Sequence, residues 1–186
     1  MTGVVSGLIV FGLYFLYDYN SVRWKHWLPR RFFLAGSFFL MLATAAQTVS
    51  AVRTVGMHRY SWLFLTGAVL FLGLLIYTLF FALPFEETYL NQNDKPCVYM
   101  EGMYALCRHP GVLWFFFFYL CLGLAFWSSG LLEVGLFYSG LNLLYVIVQD
   151  LWTFPNTFAD YGLYKKKAPF LLPTRTSIKR AFGRKY

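Results

Sequence analysis

The chain has 186 residues, of which 59% are hydrophobic, 22% aromatic and only 13% charged. A soluble domain of this length rarely carries so much apolar surface, so the composition predicts an integral membrane protein with a single domain. The formal charge of +8 comes from 16 Lys and Arg against 8 Asp and Glu, and we assign it to loops on one side of a bilayer, with no nucleic-acid partner.

Five apolar stretches follow in chain order, each near the roughly 20 residues that a transmembrane helix needs. They are residues 2–17, 31–52, 60–83, 112–127 and 131–149. The first carries no charge, and the tight connection Ser-Ser-Gly joins the last two. The sequence therefore predicts an all-α integral membrane protein of about five transmembrane helices, with a C-terminal helical hairpin and a cytosolic tail.

The distribution of basic residues favours five crossings. With five, 14 of the 16 Lys and Arg lie on one side of the membrane, and only Arg53 and Arg59 lie on the other. Because cytoplasmic loops carry an excess of Lys and Arg, this split predicts an N-terminus outside and a C-terminus in the cytosol. We expect a multi-pass protein of the cell's inner or plasma membrane or of the endoplasmic reticulum.

The cysteines and histidines indicate neither a disulfide framework nor a metal centre. The three cysteines have no C-x-x-C spacing, and the three histidines are far apart in the sequence. No glycine-rich dinucleotide or P-loop motif occurs. We therefore expect no metal.

The segment EGMYALCRHP, residues 101–110, comes directly before the apolar stretch of the fourth span. An arginine and a histidine at the edge of a hydrophobic segment are costly unless they hold something polar. With five crossings this segment and the polar tail after the fifth span lie on the same side. Residues distant in sequence could therefore close one pocket at the membrane surface.

The pattern E-G-x-Y-x-x-x-R-H-P, opening a hydrophobic hairpin, resembles the isoprenylcysteine carboxyl methyltransferase and phospholipid N-methyltransferase superfamily. In that superfamily the last span runs into an acidic pair, an F-G-x-x-Y-x-x-Y segment and a basic stretch that ends in proline. The similar tail here consists of Gln149-Asp150, Phe158, Tyr161, Tyr164, Lys165 to Lys167, Pro169 and Pro173. The resemblance covers residues 97–173, and it departs from the pattern at Val112, where tyrosine is usual, and at Gln149, where an acid is usual.

The resemblance implies an S-adenosylmethionine-dependent methyltransferase that acts on a lipophilic acceptor at the cytosolic leaflet. The acceptor would be a prenylcysteine carboxylate, a phospholipid amine or a related small lipid. Arg108 and Asp150 are the implied catalytic residues, because an arginine can hold a carboxylate through two parallel hydrogen bonds and Asp150 could accept from the cofactor's amine or ribose. The implied cofactor-binding residues are Glu101, Gly102, Tyr104, Arg108, His109, Pro110, Gln149, Asp150 and Tyr161.

This assignment divides the single membrane domain of residues 1–186 into three parts. Residues 1–96 form an N-terminal three-helix part, residues 97–173 the hairpin and tail that would bind the cofactor, and residues 174–186 a basic C-terminal tail.

Other interpretations stay open at this stage. Membrane sterol and steroid reductases carry a similar R-H-P segment, so the alternatives are an NADPH-dependent sterol- or isoprenoid-type reductase and a non-catalytic protein that keeps the fold. Arg108 and His109 could be interfacial anchors, and Asp150 could cap the end of the fifth span. Lys165–Lys167 could be a patch for anionic lipid headgroups. Glu86 and Glu87 fit a solvated helix end.

Overall fold

The structure is a computed structural model that describes residues 2–27, 31–82 and 96–183. Within these ranges the chain is helical and contains no strand. The α-helices are α1 Thr2–Tyr19, α2 Phe32–Thr54, α3 Ser61–Ile76, α4 Met103–Leu106, α5 Pro110–Ala125, α6 Ser129–Val148, α7 Phe154–Thr157, α8 Tyr161–Lys167 and α9 Arg175–Phe182. Glu86 and Glu87 lie outside the described residues.

Four helical segments are long and apolar enough to cross a membrane: Thr2–Trp24, Phe32–Thr54, Ser61–Phe81 and Ser129–Thr157. The fifth apolar helix, α5, has 16 residues and is shorter than the roughly 20 of a typical span. Only 6% of the apolar window of α2 is buried inside the protein, as expected of a helix whose sides face lipid. The predicted all-α membrane fold is confirmed, with four long helices and one short one.

Three of the long helices continue into a π-helical turn. These turns are Asn20–Trp24 after α1, Tyr77–Phe81 after α3 and Gln149–Thr153 after α6. The last turn leads directly into α7, so the sixth helix runs well past residue 149, where the sequence predicts the span to end. Single π turns re-aim the side chains of a helix and are frequent at functional sites. Here they build the polar end of the bundle.

The core of the bundle is formed by α1, α5 and α6. Its buried residues are Val10, Phe11 and Tyr14 of α1, Val112, Phe115 and Tyr119 of α5, and Tyr138, Tyr145 and Val146 of α6. Glycines let these helices approach closely: a Cβ added to Gly7 would lie 2.6 Å from the Tyr138 ring, and one added to Gly135 would lie 2.7 Å from Tyr119. Small residues at such contacts are the usual way in which membrane helices pack.

The tip of the α5–α6 hairpin is fastened to the loop between α2 and α3. The Ser61 hydroxyl donates to the Ala125 carbonyl at 2.5 Å, and the indole N–H of Trp127 donates to Nδ1 of His58 at 3.2 Å. These contacts fix the end of the bundle that lies opposite the start of α5. At its other end α5 begins at Pro110, directly after Arg108 and His109.

Candidate functional site

Arg108 and Asp150 form a two-pronged ion pair at the start of α5. The Nε of Arg108 donates to Oδ1 of Asp150 at 2.7 Å, and Nη2 donates to Oδ2 at 3.3 Å. Only 11% of the Arg108 side chain and 7% of the Asp150 side chain are exposed. Arg108 therefore points into the protein, which disagrees with its interpretation as an anchor that faces the lipid headgroups.

Asp150 contacts three further side chains, two from α8 and one from the R-H-P segment. The Tyr161 hydroxyl donates to Oδ1 at 2.6 Å, and Nε2 of His109 lies 3.4 Å from the same oxygen. The Lys165 ammonium lies 3.0 Å from Oδ2. Asp150 thus joins side chains of α8 and of the R-H-P segment, and it is more than the helix cap that the sequence also allowed. Lys165 belongs to this cluster, so only Lys166 and Lys167 of the predicted headgroup patch are exposed.

The tail after α6 folds back over the R-H-P segment. The backbone N–H of Arg108 donates to the Pro169 carbonyl at 2.9 Å, and its Nη1 donates to the carbonyls of Ala168 at 2.8 Å and Lys165 at 3.2 Å. On the other side of the contact, the Tyr164 hydroxyl donates to the Tyr104 carbonyl at 2.8 Å. The juxtaposition of segment and tail that the sequence predicted is therefore present in the structure.

His109 is buried between two aromatic rings. Its imidazole stacks on Phe154 at 5.8 Å between ring centroids and meets Phe170 edge-on at 5.1 Å. Burial lowers the pKa of His109 below its usual range, against the opposing effect of its hydrogen bond with Asp150. The ring is thus neutral near pH 7. Pro110 follows as the first residue of α5, where its missing N–H costs no helical hydrogen bond.

The remaining predicted residues lie around this cluster rather than in it. Glu101 and Gly102 are exposed at the start of α4, and Gly102 has a positive φ of 56° that favours glycine. The Tyr104 hydroxyl donates to the carbonyl of Thr78 at 3.0 Å and so ties α4 to the π turn after α3. Gln149 is half-buried and lies near Asp18 rather than in the Asp150 cluster.

Asp18 is a second buried carboxylate that the sequence interpretation missed. It is 3% exposed, and it accepts from the Tyr145 hydroxyl at 3.0 Å and from the Thr153 hydroxyl at 3.2 Å. Within the described ranges no Lys, Arg or His lies within ion-pair distance of it. The predicted first span stops at residue 17, one residue short of it, although an acid at the end of an apolar segment is itself a signal of function.

Cys107 lies directly before Arg108 and is fully buried. Burial raises the pKa of its thiol to about 11, so the thiolate that a nucleophile needs is scarce at neutral pH. The Tyr164 hydroxyl lies 3.5 Å from the Cys107 carbonyl. We conclude that Cys107 is a packing residue beneath the tail.

The Gln149–Thr153 turn brings a cationic cluster close to a second buried carboxyl group, that of Asp18. Arg108 and Lys165 each carry one positive charge and Asp150 carries one negative charge, while His109 is neutral. The cluster therefore has a net charge of +1. The Asp18 carboxyl group of α1 lies beside the turn that carries Asp150, because it accepts from the Thr153 hydroxyl of that turn. An arrangement of this kind suits a ligand that carries both a carboxylate and an amine.

Comparisons of the chain with models of protein families, with curated proteins and with solved structures give no significant match.

Proposed function

We propose that the protein is an integral membrane S-adenosylmethionine-dependent methyltransferase that acts on a lipophilic acceptor. The observation that carries the proposal is the meeting of Arg108, His109, Asp150 and Tyr161 at one end of the membrane bundle. Arg108 and His109 belong to the R-H-P segment and Asp150 and Tyr161 to the region after α6, and the Arg108–Asp150 pair alone spans 42 residues. They are also the residues that the resemblance implies for cofactor binding.

The charges of the site fit the amino-acid end of this cofactor. Its carboxylate would be held by Lys165 and by Arg108, which keeps one of its five N–H donors beyond the bonds to Asp150 and the tail carbonyls. Its amine would be held by Asp18, which has neutral donors around it and no cation within the described part of the chain. Bound here, the cofactor supplies a methyl group on a sulfonium for an in-line displacement.

Neighbouring aromatic rings suit the positive sulfonium. The rings of Phe154, Phe170 and Tyr161 line the cluster. Two of them already have a cation over the ring face: the Arg108 guanidinium lies 5.6 Å from the Phe170 centroid, and the Lys165 ammonium lies 5.6 Å from the Tyr161 centroid. Attraction of a cation to an aromatic face is strongest where water is excluded.

The acceptor would enter from the bilayer, because the cluster lies at the ends of apolar helices. A carboxylate acceptor such as a prenylcysteine needs no base, since it is an anion at neutral pH. An amine acceptor must lose a proton, and neutral His109, in contact with Asp150, is the available group. The site can therefore serve a carboxylate acceptor or an amine acceptor.

The proposed orientation places the site in the cytosol, with the N-terminus outside. Exposed residues allow a direct test: cysteines introduced at Lys166 and Arg31 lie at the site's end of the bundle, and one at Arg59 lies at the other end. A membrane-impermeant thiol reagent should label the first two only from the cytosolic side and the third only from the opposite side. Labelling of positions 166 and 31 from different sides would contradict the five-crossing arrangement.

The cofactor assignment is tested by thermal stability of the purified protein in detergent. A ligand that binds only the native state raises the free energy of unfolding, by about 2.7 kcal/mol when its concentration is 100 times its Kd. The melting temperature rises as a result. We expect shifts with S-adenosylmethionine and S-adenosylhomocysteine and none with NADPH. A shift with NADPH alone would favour the reductase, and no shift with any of the three would favour a protein without this chemistry.

A further inference from the structure

We propose that the segment from α8 to α9 is a lid that rests on the bilayer surface, and that anionic lipid headgroups hold it closed over Arg108. This inference is independent of methyl transfer, because it concerns what binds the outer surface of the tail and what that binding does to the site.

The first observation is apolar surface outside the spans. Leu163 is 57% exposed, Leu172 71%, Ile178 44% and Phe182 74%. All four lie beyond residue 157, where the last candidate membrane span ends. Large apolar side chains this exposed, on a segment beside a bilayer, match residues that insert at the boundary between headgroups and acyl chains.

The second observation is the amphipathic character of α9. Ser177 is fully buried, and it forms a capping box with Thr174 that fixes the start of the helix. Ile178 and Phe182 are one turn apart and share a side of the helix that is not covered by the protein. Arg175 and Lys179, also one turn apart, lie along one edge of this apolar side. A short helix with this pattern is suited to lie in the plane of a membrane interface.

The third observation is the charge of the tail. Lys166, Lys167, Arg175, Lys179 and Arg180 are exposed, and none of them pairs with an acid within the described residues. Basic residues next to a membrane span are drawn to anionic lipids. Apolar and basic side chains occur together on a segment attached to the last membrane helix, so a charged lipid surface fits better than a soluble partner.

The tail is mechanically connected to the site. Its α8 supplies the Tyr161 hydroxyl and the Lys165 ammonium to Asp150, and the turn after it supplies the Ala168 and Pro169 carbonyls to Arg108. Its α9 packs against α4, the helix that ends directly before Cys107. A force that holds α8 and α9 on the membrane therefore also holds the Arg108–Asp150 cluster together.

Cys107 provides the readout, because it is fully buried and its carbonyl is contacted by Tyr164 of the tail, so we expect its thiol to react when the tail lifts. The full-length protein with Cys97→Ser and Cys121→Ser would be placed in nanodiscs of phosphatidylcholine, with or without phosphatidylglycerol, and the rate of maleimide labelling measured. We expect labelling to be at least about fivefold slower in the anionic discs. This is the ratio expected if anionic lipid stabilises the closed tail by the attraction of roughly one basic residue to a charged surface. High salt should remove most of the difference.

Three double variants separate the lid from general instability. Lys179→Gln with Arg180→Gln should abolish the lipid dependence, whereas Arg53→Gln with Arg59→Gln, at the other end of the bundle, should preserve it. Ile178→Asn with Phe182→Asn should speed labelling in both kinds of disc. Equal labelling rates in neutral and anionic discs, or an unchanged lipid dependence in the Lys179/Arg180 variant, would overturn the proposal.

Discussion

Arg108 and Asp150 are joined by two roughly parallel hydrogen bonds, at 2.7 Å and 3.3 Å, across 42 residues of sequence. Breaking such a buried pair by removing one partner typically costs about 3–5 kcal/mol, because the remaining charge is left uncompensated. The pair is therefore part of the fold as well as of the proposed site. Experiments on it need a structural control beside the functional readout.

Packing of α1 on α6 depends on Gly7. Gly7→Ala would place a Cβ 2.6 Å from the Tyr138 ring, whose hydroxyl lies 2.7 Å from the Ser6 hydroxyl, so the ring must shift and this contact must weaken. Overpacking of this kind costs about 1–3 kcal/mol. We expect a lower melting temperature in detergent.

Gly12 is the matched control on the same helix. A Cβ added there meets nothing within 4 Å. Gly12→Ala should raise the melting temperature slightly, since alanine favours helix over glycine by up to about 1 kcal/mol. Equal effects of the two substitutions would refute the proposed close contact between α1 and α6.

Stability should fall with pH below about 6.5 because of His109. Burial lowers its pKa in the folded protein, so the unfolded chain takes up the proton first as the pH drops. Unfolding then becomes more favourable, by at most about 1.4 kcal/mol one pH unit below the ordinary value. At a pH more than about one unit above that value both states are neutral and the contribution is constant.

The comparison with His109→Gln isolates this effect. Glutamine cannot take up the proton, so the melting temperature of the variant should depend less steeply on pH between about 5.5 and 7.5. The difference between the two slopes of melting temperature against pH reports on His109, because all other titrating groups contribute equally to the slopes of both proteins. Parallel slopes would show that His109 is not held neutral in the folded state.

Asp18→Asn should weaken S-adenosylmethionine binding with little effect on stability. The amide can keep hydrogen bonds with the Tyr145 and Thr153 hydroxyls, since a hydroxyl also accepts. The lost charge would reduce affinity by roughly ten- to hundredfold if Asp18 holds the cofactor's amine. The control is Glu133→Gln, the same chemical change at an exposed position near the other end of α6. Equal affinities in the two variants would remove Asp18 from the site.

The helical membrane fold could be predicted from the sequence, because long apolar runs and clusters of basic residues are visible in short stretches of the chain. The sequence was also sufficient to predict that residues 101–110 lie near the tail, since a hairpin of two apolar helices separates them and returns the chain to the same end of the bundle. The ends of the helices were less accessible. The π turns after α1 and α6 extend each helix past its apolar run, so the spans predicted to end at residues 17 and 149 continue to Trp24 and Thr157.

Asp18 and Lys165 show why side-chain roles could not be predicted. Asp18 enters the site through contacts with Tyr145 and Thr153, more than a hundred residues away, which no local pattern reveals. Lys165 stands in a run of three lysines whose members look equivalent in sequence. The geometry of α8 directs only the first to Asp150.

The most direct measurement is equilibrium binding of radiolabelled S-adenosylmethionine to the purified protein. The account predicts saturable binding by the parent and roughly ten- to hundredfold weaker binding by Arg108→Lys, because lysine keeps the charge but loses the planar fork. Arg23→Lys, an exposed arginine after α1, should bind like the parent. Slow Cys107 labelling would show that the variants keep the closed tail. No saturable binding by the parent, or parent-like binding by a folded Arg108→Lys, would contradict the account.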